Sequence, residues 1–326
     1  MPPAFPVAAR SPRRASLVLL RPQTPAPIGA AIALAAVALA VLAGGCGSTA
    51  SNFGGRVRVV AAENFWGSIA RQIGGTHVIV SSIIVNPALD PHSYEPTSTD
   101  ARTMAVAQLA IINGVGYDPW APRLLAANPV SGRITLNVGS MFGLREGDNP
   151  HRWYDPAQVV AVARRIAADL ERLAPAHRSY FASRLSGFLN ARLARYHELI
   201  AAIRSRYAGI PVGASESIFV PLSRALHLRL ITPIAFMNAV SEGTELTAQA
   251  TLTVEHQVSS RQTAVWVFNS QNVTPEVQRL DGLARAAGIP IVTITETLAP
   301  ATDSFQQWQD AQLSALAAAL HGATGR

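Results

Sequence analysis

Residue types and motifs that form disulfides, phosphate-binding loops or catalytic metal sites in other proteins are scarce or absent in this sequence. Its 326 residues include one cysteine, Cys46, so no disulfide can form within the chain. No lysine is present, and all 27 basic residues are arginines. The sequence contains neither a Gly-Lys-Ser/Thr phosphate-binding loop nor a His-Glu-x-x-His motif. The chain is therefore neither a P-loop ATPase nor a zinc protease of the class that carries the latter motif.

The net charge is too small and too uneven to indicate nucleic-acid binding. Four of the seven formal positive charges lie in residues 1–45, which contain no acidic residue, and the remainder of the chain carries only +3. No basic run is interleaved with aromatic residues, which is the pattern expected of a phosphate-binding surface. We predict no nucleic-acid partner.

Residues 1–45 have the organisation of an export signal. Arginines come first, an uncharged apolar run of 18 residues extends from Ile28 to Gly45, and Cys46 follows directly. We predict that residues 1–45 are a cleaved signal peptide of the lipoprotein type, that Cys46 carries the lipid, and that residues 46–55 are a flexible tether. An uncleaved membrane anchor is the alternative. In both cases the rest of the chain lies at the outer face of the cytoplasmic membrane.

The exported part alternates between strand-like and helix-like patterns. Apolar residues make up 49% of the chain, enough to bury a large core. From Phe181 to Tyr207 apolar residues recur at helical spacing, with Pro175 before them and Gly209 after them. We predict an α/β fold with two lobes, residues 56–174 and 209–326, each a mostly parallel sheet flanked by helices. A single long rigid helix, residues 175–208, is predicted to join them.

Two short segments repeat one pattern. Residues 90–96 read Asp-Pro-His-Ser-Tyr-Glu-Pro, and residues 149–156 read Asn-Pro-His-Arg-Trp-Tyr-Asp-Pro. The prolines restrict the backbone, so His92 and His151 each lie on a stiff, non-helical corner. An imidazole held in one orientation suits a metal ligand, and two such loops can converge on one ion. For either histidine alone, a surface turn without a metal is the ordinary alternative.

These two motifs, with three others, resemble a known family. The other segments are Ala-Ala-Glu-Asn-Phe-Trp-Gly at 61–67, Gly-Ala-Ser-Glu-Ser-Ile-Phe at 213–219 and Thr-Asp-Ser-Phe at 302–305. Together they resemble the solute-binding proteins of bacterial zinc and manganese ABC transporters, from about Val57 to the C-terminus. The resemblance implies two rigid α/β lobes joined by a long helix, with one metal ion bound between them.

The resemblance also implies a ligand set. Position for position, the four metal ligands fall on His92, His151, Glu216 and Asp303, with Glu296 as the alternative to Asp303. Tyr94 and Trp153 are candidates to wall the pocket, and Asn64 is a candidate for a supporting hydrogen bond. Two imidazoles and two carboxylates neutralise a divalent cation and suit Mn(II), Zn(II) or Fe(II). The carboxylates favour Mn(II), whereas the intrinsic order of affinities favours Zn(II), so the metal stays open.

The predicted function is that of an extracytoplasmic receptor rather than an enzyme. It would capture the ion and deliver it to a membrane permease powered by a cytoplasmic ATPase, and we expect it to be a monomer anchored through the lipid on Cys46. Two alternatives are an exported metallohydrolase and a metal-binding surface adhesin. Four protein ligands would leave no open coordination position for a hydrolytic water, which argues against the first. No repeat or binding module supports the second.

Overall fold

The computed structural model describes residues 55–89 and 91–326. The predicted signal peptide (residues 1–45), Cys46 and almost all of the predicted tether (residues 46–55) lie outside the described residues, as does Asp90 of the first histidine motif. The described residues belong to one compact unit. Below, residues 55–174 are called the N-terminal region and residues 209–326 the C-terminal region.

The N-terminal region contains a four-stranded parallel sheet. Its strands are β1 (Val57–Glu63), β2 (Val78–Ile84), β3 (Leu109–Ile112) and β4 (Ile134–Asn137), in the order β2-β1-β3-β4. The helices between and after them are α1 (Asn64–Gly74), α2 (Ser98–Ala105), α3 (Trp120–Ala127), α4 (Val138–Met141) and α5 (Pro156–Leu173). Short 3₁₀ turns at Pro91–Ser93 and Arg152–Tyr154 contain or follow the two motif histidines.

The C-terminal region repeats the same topology. Its strands are β5 (Pro211–Ala214), β6 (Arg229–Leu230), β7 (Val265–Asn269) and β8 (Ile291–Ile294), all parallel, in the order β6-β5-β7-β8. Its helices, numbered after the two helices of the connector, are α8 (Val220–Ala225), α9 (Ile234–Ser241), α10 (Ala248–Ser259), α11 (Pro275–Ala286) and α12 (Phe305–Thr324). The predicted α/β fold with two helix-flanked parallel sheets is confirmed.

The predicted connector is helical but not uniform. A 3₁₀ turn (Pro175–His177) leads into α6 (Arg178–Gly187), a π-helical segment (Phe188–Arg192) and α7 (Ala194–Tyr207). The amide of Leu193 donates to the carbonyl of Phe188, five residues earlier, which is the hydrogen bond of a π-bulge. Its action as a rigid connector, and the proposed lobe boundaries, stay predictions.

Both faces of β1 are buried, which explains why its sequence is a nearly continuous run of apolar residues. Alternate residues of a strand point to opposite faces, and both faces of this sheet are covered. Val57, Val59 and Ala61 face a large core that extends into the C-terminal region, whereas Val60 and Ala62 face a smaller cluster with Met104, Trp120 and Leu125. The chain enters α1 directly from β1, and this helix is buried through Phe65, Trp66 and Ile69.

Four helices of the structure were not predicted from the sequence: α3, α4, α5 and α9. The signal for α5 is present, because Asp155 is the N-cap, accepting from the amides of Ala157 and Gln158, and Pro156 occupies the first helical position. Within residues 55–89 and 91–326, no helix is both long and apolar enough to cross a bilayer.

Candidate metal centre

Four side chains converge between the two sheets. His92 and His151 come from loops that follow β2 and β4, while Glu216 and Glu296 follow β5 and β8. One potential ligand atom from each of the four lies within 4.8 Å of all the others. Three of the four side chains are fully buried, and His92 is partly accessible. This is the arrangement that the carboxyl ends of parallel strands produce when two sheets face one another.

The distances suit ligands that share an ion. His151 Nε2 lies 3.7 Å from Glu216 Oε1 and 3.5 Å from Glu296 Oε2. His92 Nε2 lies 4.0 Å from Glu216 Oε1 and 3.8 Å from Glu296 Oε1. Two atoms bound tetrahedrally to one ion at about 2.1 Å would be roughly 3.4 Å apart. The four atoms are therefore close to the spacing of a coordination shell.

The environment of Glu216 is typical of a carboxylate that binds a cation. Its Oε1 atom is buried and accepts no hydrogen bond from the described residues. Burial and the nearby carboxylate of Glu296 raise the pKa of Glu216 to about 8, while His151, Asn269 and Ser241 oppose the shift. A divalent cation would supply the missing partner for Oε1 and lower this pKa.

Asn269 links the two carboxylates. This residue ends β7, and its side-chain amide donates to Glu216 Oε2 at 2.5 Å and to Glu296 Oε1 at 2.8 Å. The backbone amide of Gln271 donates in turn to Asn269 Oδ1 at 3.0 Å. Because Asn269 is buried and held from both ends, it keeps the two carboxylates at a fixed separation despite their mutual repulsion.

Asn149 orients His151. Its Oδ1 accepts from the backbone amide of His151 at 3.0 Å and lies 3.1 Å from His151 Nδ1. Its Nδ2 donates across to the carbonyl of Ser217 at 2.7 Å, next to Glu216. A proton on Nδ1 makes the ring contact a hydrogen bond and leaves the Nε2 lone pair facing the carboxylates. Asn149 therefore ties the second histidine loop to the carboxylate side of the site.

Tyr117 packs against both kinds of ligand. Its hydroxyl donates to Glu296 Oε2 at 3.0 Å, and its ring meets that of His92 edge to face at a centroid distance of 4.8 Å. The neighbouring Asp118 fixes this loop by accepting from the backbone amides of Asn113 and Gly114, each at 2.7 Å. The loop after β3 thus holds Tyr117 between the histidines and Glu296.

The structure brings His92, His151 and Glu216 together, but the fourth member of the cluster is Glu296 and not Asp303. Asp303 lies in the turn before α12, where its amide donates to the carbonyl of Pro300, and it is not part of the four-residue group. Glu296 was the alternative named from the sequence. It lies two residues beyond the end of β8, so the strand-end position that favoured the other candidates applies to Glu296 as well.

The three supporting candidates occupy different places. Trp153 is buried and meets the ring of His151 edge to face at 5.2 Å. The side chain of Asn64 accepts from the amide of Leu298 at 3.1 Å, which ties α1 to the segment after Glu296. The hydroxyl of Tyr94 donates to Asp100 at 2.9 Å, in the capping region of α2. Of these, Trp153 contacts a candidate ligand directly.

Asn269 and Tyr117 were not predicted as site residues from the sequence. Both follow the rule that had pointed to the other site residues, since Asn269 is the last residue of β7 and Tyr117 lies in the loop after β3. The strand predicted from the sequence ends at Phe268, one residue before the observed end of β7. Asn269 was therefore not recognised as a residue at a strand end. Neither residue belongs to a motif that spacing alone would have singled out.

Comparison with known proteins agrees with this architecture. In sequence, the chain is 25% identical to the metal ABC transporter substrate-binding lipoprotein SloC of Streptococcus mutans over 257 residues, covering 72% of this chain and 79% of SloC. It is also 25% identical to the manganese ABC transporter substrate-binding lipoprotein PsaA of Streptococcus pneumoniae over 232 residues, covering 65% of this chain and 72% of PsaA.

A solved structure shares the fold. The periplasmic zinc-binding protein TroA of Treponema pallidum superposes with a TM-score of 0.68 at 17% identity, covering 82% of this chain and 99% of TroA. The family model for ZnuA, the periplasmic component A of zinc-uptake complexes, matches residues 59–319. That match spans both sheets and all four side chains of the candidate centre. The chain therefore belongs to the ZnuA family of metal receptors, which are solute-binding components of ABC transporters and not enzymes.

Proposed function

We propose that the chain captures one Mn(II) or Zn(II) ion between its two sheets, through His92, His151, Glu216 and Glu296, and delivers it to an ABC permease. The observation that carries the proposal is the buried Oε1 of Glu216, which accepts no hydrogen bond from the described residues and lies 3.7 Å from His151 Nε2 and 4.0 Å from His92 Nε2. A buried carboxylate in this state is costly unless a cation accompanies it.

The charge of the ligand set supports a divalent ion. Two neutral imidazoles and two carboxylates give a total charge of zero when M²⁺ is bound, and all four groups are ligands that Mn(II), Zn(II) and Fe(II) accept. The relatives point to the same group of metals, since PsaA is named for manganese and TroA for zinc. Fe(II) fits the same donors.

The cellular setting follows from the family. As a substrate-binding protein of an ABC transporter, the chain acts outside the cytoplasm with a permease and an ATPase. Beyond this, we propose that it is a monomer held at the outer face of the cytoplasmic membrane by a lipid on Cys46. Mass spectrometry of the native protein would reveal a diacylglyceryl group on Cys46 as the new first residue. An intact residue 1–45 segment would contradict that part of the proposal.

The ion reaches the site through a cleft next to His92. The cleft has a volume of about 680 Å³ and is lined from the N-terminal region by His92, Tyr117 and Asn149, and from the C-terminal region by Ser217 and Ser241. His92 is the accessible member of the ligand set, with 18% of its side chain exposed. We infer that His92 is the first ligand to meet the ion and the first to release it.

The decisive experiment compares Glu296→Gln with Asp303→Asn. Both substitutions replace a carboxylate by its isosteric amide. Metal-free protein would be titrated with Zn(II) and Mn(II) in competition with a chelator of known affinity. We expect Glu296→Gln to lower affinity for both ions at least ~100-fold, since losing a ligand exceeds the 10–100-fold loss typical of supporting residues. Asp303→Asn should bind as the parent does. The reverse result would exclude Glu296 as a ligand and identify Asp303 as the fourth ligand.

A further inference from the structure

A second pocket lies beside the candidate metal centre and is lined by cationic side chains. It has a volume of about 420 Å³ and lies where the N-terminus of α5 meets α7 and α8. The charged and titratable residues that line it are Arg152, Asp155, Arg204, Arg224 and His227. Its size falls in the range of small-molecule sites. Nothing in the capture of a metal cation requires such a pocket.

The balance of charge in the pocket is strongly positive. Three arginines and one carboxylate line the pocket. The carboxylate of Asp155 is engaged elsewhere, because its Oδ1 caps α5 by accepting from the amides of Ala157 and Gln158. Among residues 55–89 and 91–326, the ion pairs of the structure involve none of these three arginines.

Arg152 lines this pocket and also the 680 Å³ cleft beside His92. One terminal nitrogen donates to Asn149 Oδ1 at 3.1 Å, but Nε is buried and has no hydrogen-bond partner among the described residues. A buried guanidinium N–H without an acceptor costs free energy that a bound anion would recover.

We propose that this pocket binds a phosphate group. Guanidinium groups present planar, forked N–H donors that match the oxygens of phosphate, and charge-assisted bonds of this kind are among the strongest in proteins. Three such groups and one carboxylate give a net charge of +2, which balances a phosphate dianion and exceeds the charge of a phosphodiester monoanion. The volume leaves room for a substituent on the phosphate, so the group belongs either to free inorganic phosphate or to a phospholipid headgroup. The proposal is independent of metal capture.

The test uses the full chain in non-ionic detergent at low ionic strength. Inorganic phosphate and glycerophosphoglycerol, a headgroup without acyl chains, would be titrated separately by calorimetry. Arg204→Gln and Arg224→Gln should each weaken binding of the better ligand about tenfold or more, because each removes charge-assisted hydrogen bonds. Arg206→Gln is the matched control: it removes the same charge from the same helix, α7, but Arg206 lines a different pocket. Circular dichroism and thermal unfolding would verify that the variants are folded.

Each outcome decides the question. Tighter binding of inorganic phosphate identifies free phosphate as the ligand, and tighter binding of glycerophosphoglycerol identifies a lipid headgroup; both support the pocket. Absence of binding to either probe at millimolar concentration overturns the proposal. It is also overturned if Arg206→Gln weakens binding as much as Arg204→Gln, because the attraction would then reflect general surface charge.

Discussion

The N-terminal and C-terminal regions share one topology but supply the candidate site in different ways. In the C-terminal region, Glu216 and Glu296 each lie two residues beyond a strand, β5 ending at Ala214 and β8 at Ile294. The histidines of the N-terminal region lie farther along their loops, on or next to 3₁₀ turns. The carboxylates are therefore fixed by the sheet itself, whereas the imidazoles depend on proline-stiffened loops and on contacts such as that with Asn149.

This contrast suggests a division of roles. The C-terminal region provides two carboxyl groups held together by Asn269, and the N-terminal region provides two imidazoles, one of which lines the cleft. If the four side chains bind the ion as we propose, the carboxylates neutralise its charge once Glu216 has lost its proton, and the imidazoles supply the nitrogen ligands. On this view, release to the permease begins with the histidine loops and not with the carboxylates.

The largest expected effects come from removing one ligand from each region. His151→Ala and Glu216→Ala should each lower metal affinity by at least ~100-fold, but with different selectivity. Loss of the nitrogen ligand should weaken Zn(II) more than Mn(II), and loss of the carboxylate should weaken Mn(II) more than Zn(II). Competition titrations of both variants with both metals measure the ratio. Equal losses for the two metals would remove the distinction between the regions.

The clamp on the carboxylates gives the next largest effect. Asn269→Ala removes the amide that bonds to both Glu216 and Glu296, so we expect metal affinity to fall about 10–100-fold. The same change should raise the pKa of Glu216 further, because a hydrogen bond that favours its charged form is lost. Gln278→Ala, in the exposed part of α11, is a suitable control. Unchanged affinity in Asn269→Ala would show that the sheet alone positions the carboxylates.

The raised pKa of Glu216 predicts a pH dependence. In the metal-free protein its pKa is about 8, so the carboxyl is mostly protonated at pH 7 and binding of the metal must release that proton. Apparent affinity should therefore increase as the pH rises toward 8. The stability of the metal-free protein changes with pH in the opposite direction. The pKa of Glu216 is higher in the folded than in the unfolded protein, so protonation of Glu216 stabilises the fold. This stabilisation is fully present below the unfolded pKa and is lost as the pH rises through about 8.

Calorimetry in buffers of different ionisation enthalpy counts the released protons. About one proton per ion is expected at pH 7 for the parent protein. Glu216→Gln cannot release it and serves as the control. Binding that releases no proton in the parent would mean that the carboxylate is already charged before the ion arrives.

The smallest expected effect concerns the sheets and not the site. Gly213 lies in β5 against Trp266 of β7, where an added Cβ would come within 2.6 Å of the indole ring. Gly213→Ala should therefore destabilise the protein by about 1–3 kcal/mol. Gly282, exposed within α11, has open space around it, so Gly282→Ala should stabilise the protein by roughly 0.5–1 kcal/mol. Thermal unfolding measures both. A neutral Gly213→Ala would show that Trp266 can shift.

Local patterns predicted much of this molecule. The strands at Leu109–Ile112, Pro211–Ala214 and Ile291–Ile294 match the predicted bounds, because buried parallel strands read as short apolar runs. The helices α3, α4 and α9 were missed because each spans eight residues or fewer, too few for a clear helical period. The π-bulge in the predicted connector depends on packing along the helix and has no signal in the spacing of its apolar residues.

The sequence by itself determined the alternation of strands and helices and the two stiff histidine loops, because each depends on residues close together in the chain. The candidate role of Glu216 came from the resemblance to the metal-receptor family. The tertiary structure alone decided that Glu296, and not Asp303, joins the two histidines. It also revealed Asn269 and Tyr117, and it brought Arg152, Arg204 and Arg224 to one pocket. The physical reason is that these groupings join residues from separate strand ends and helices, and only the packing of the two sheets fixes the distances between them.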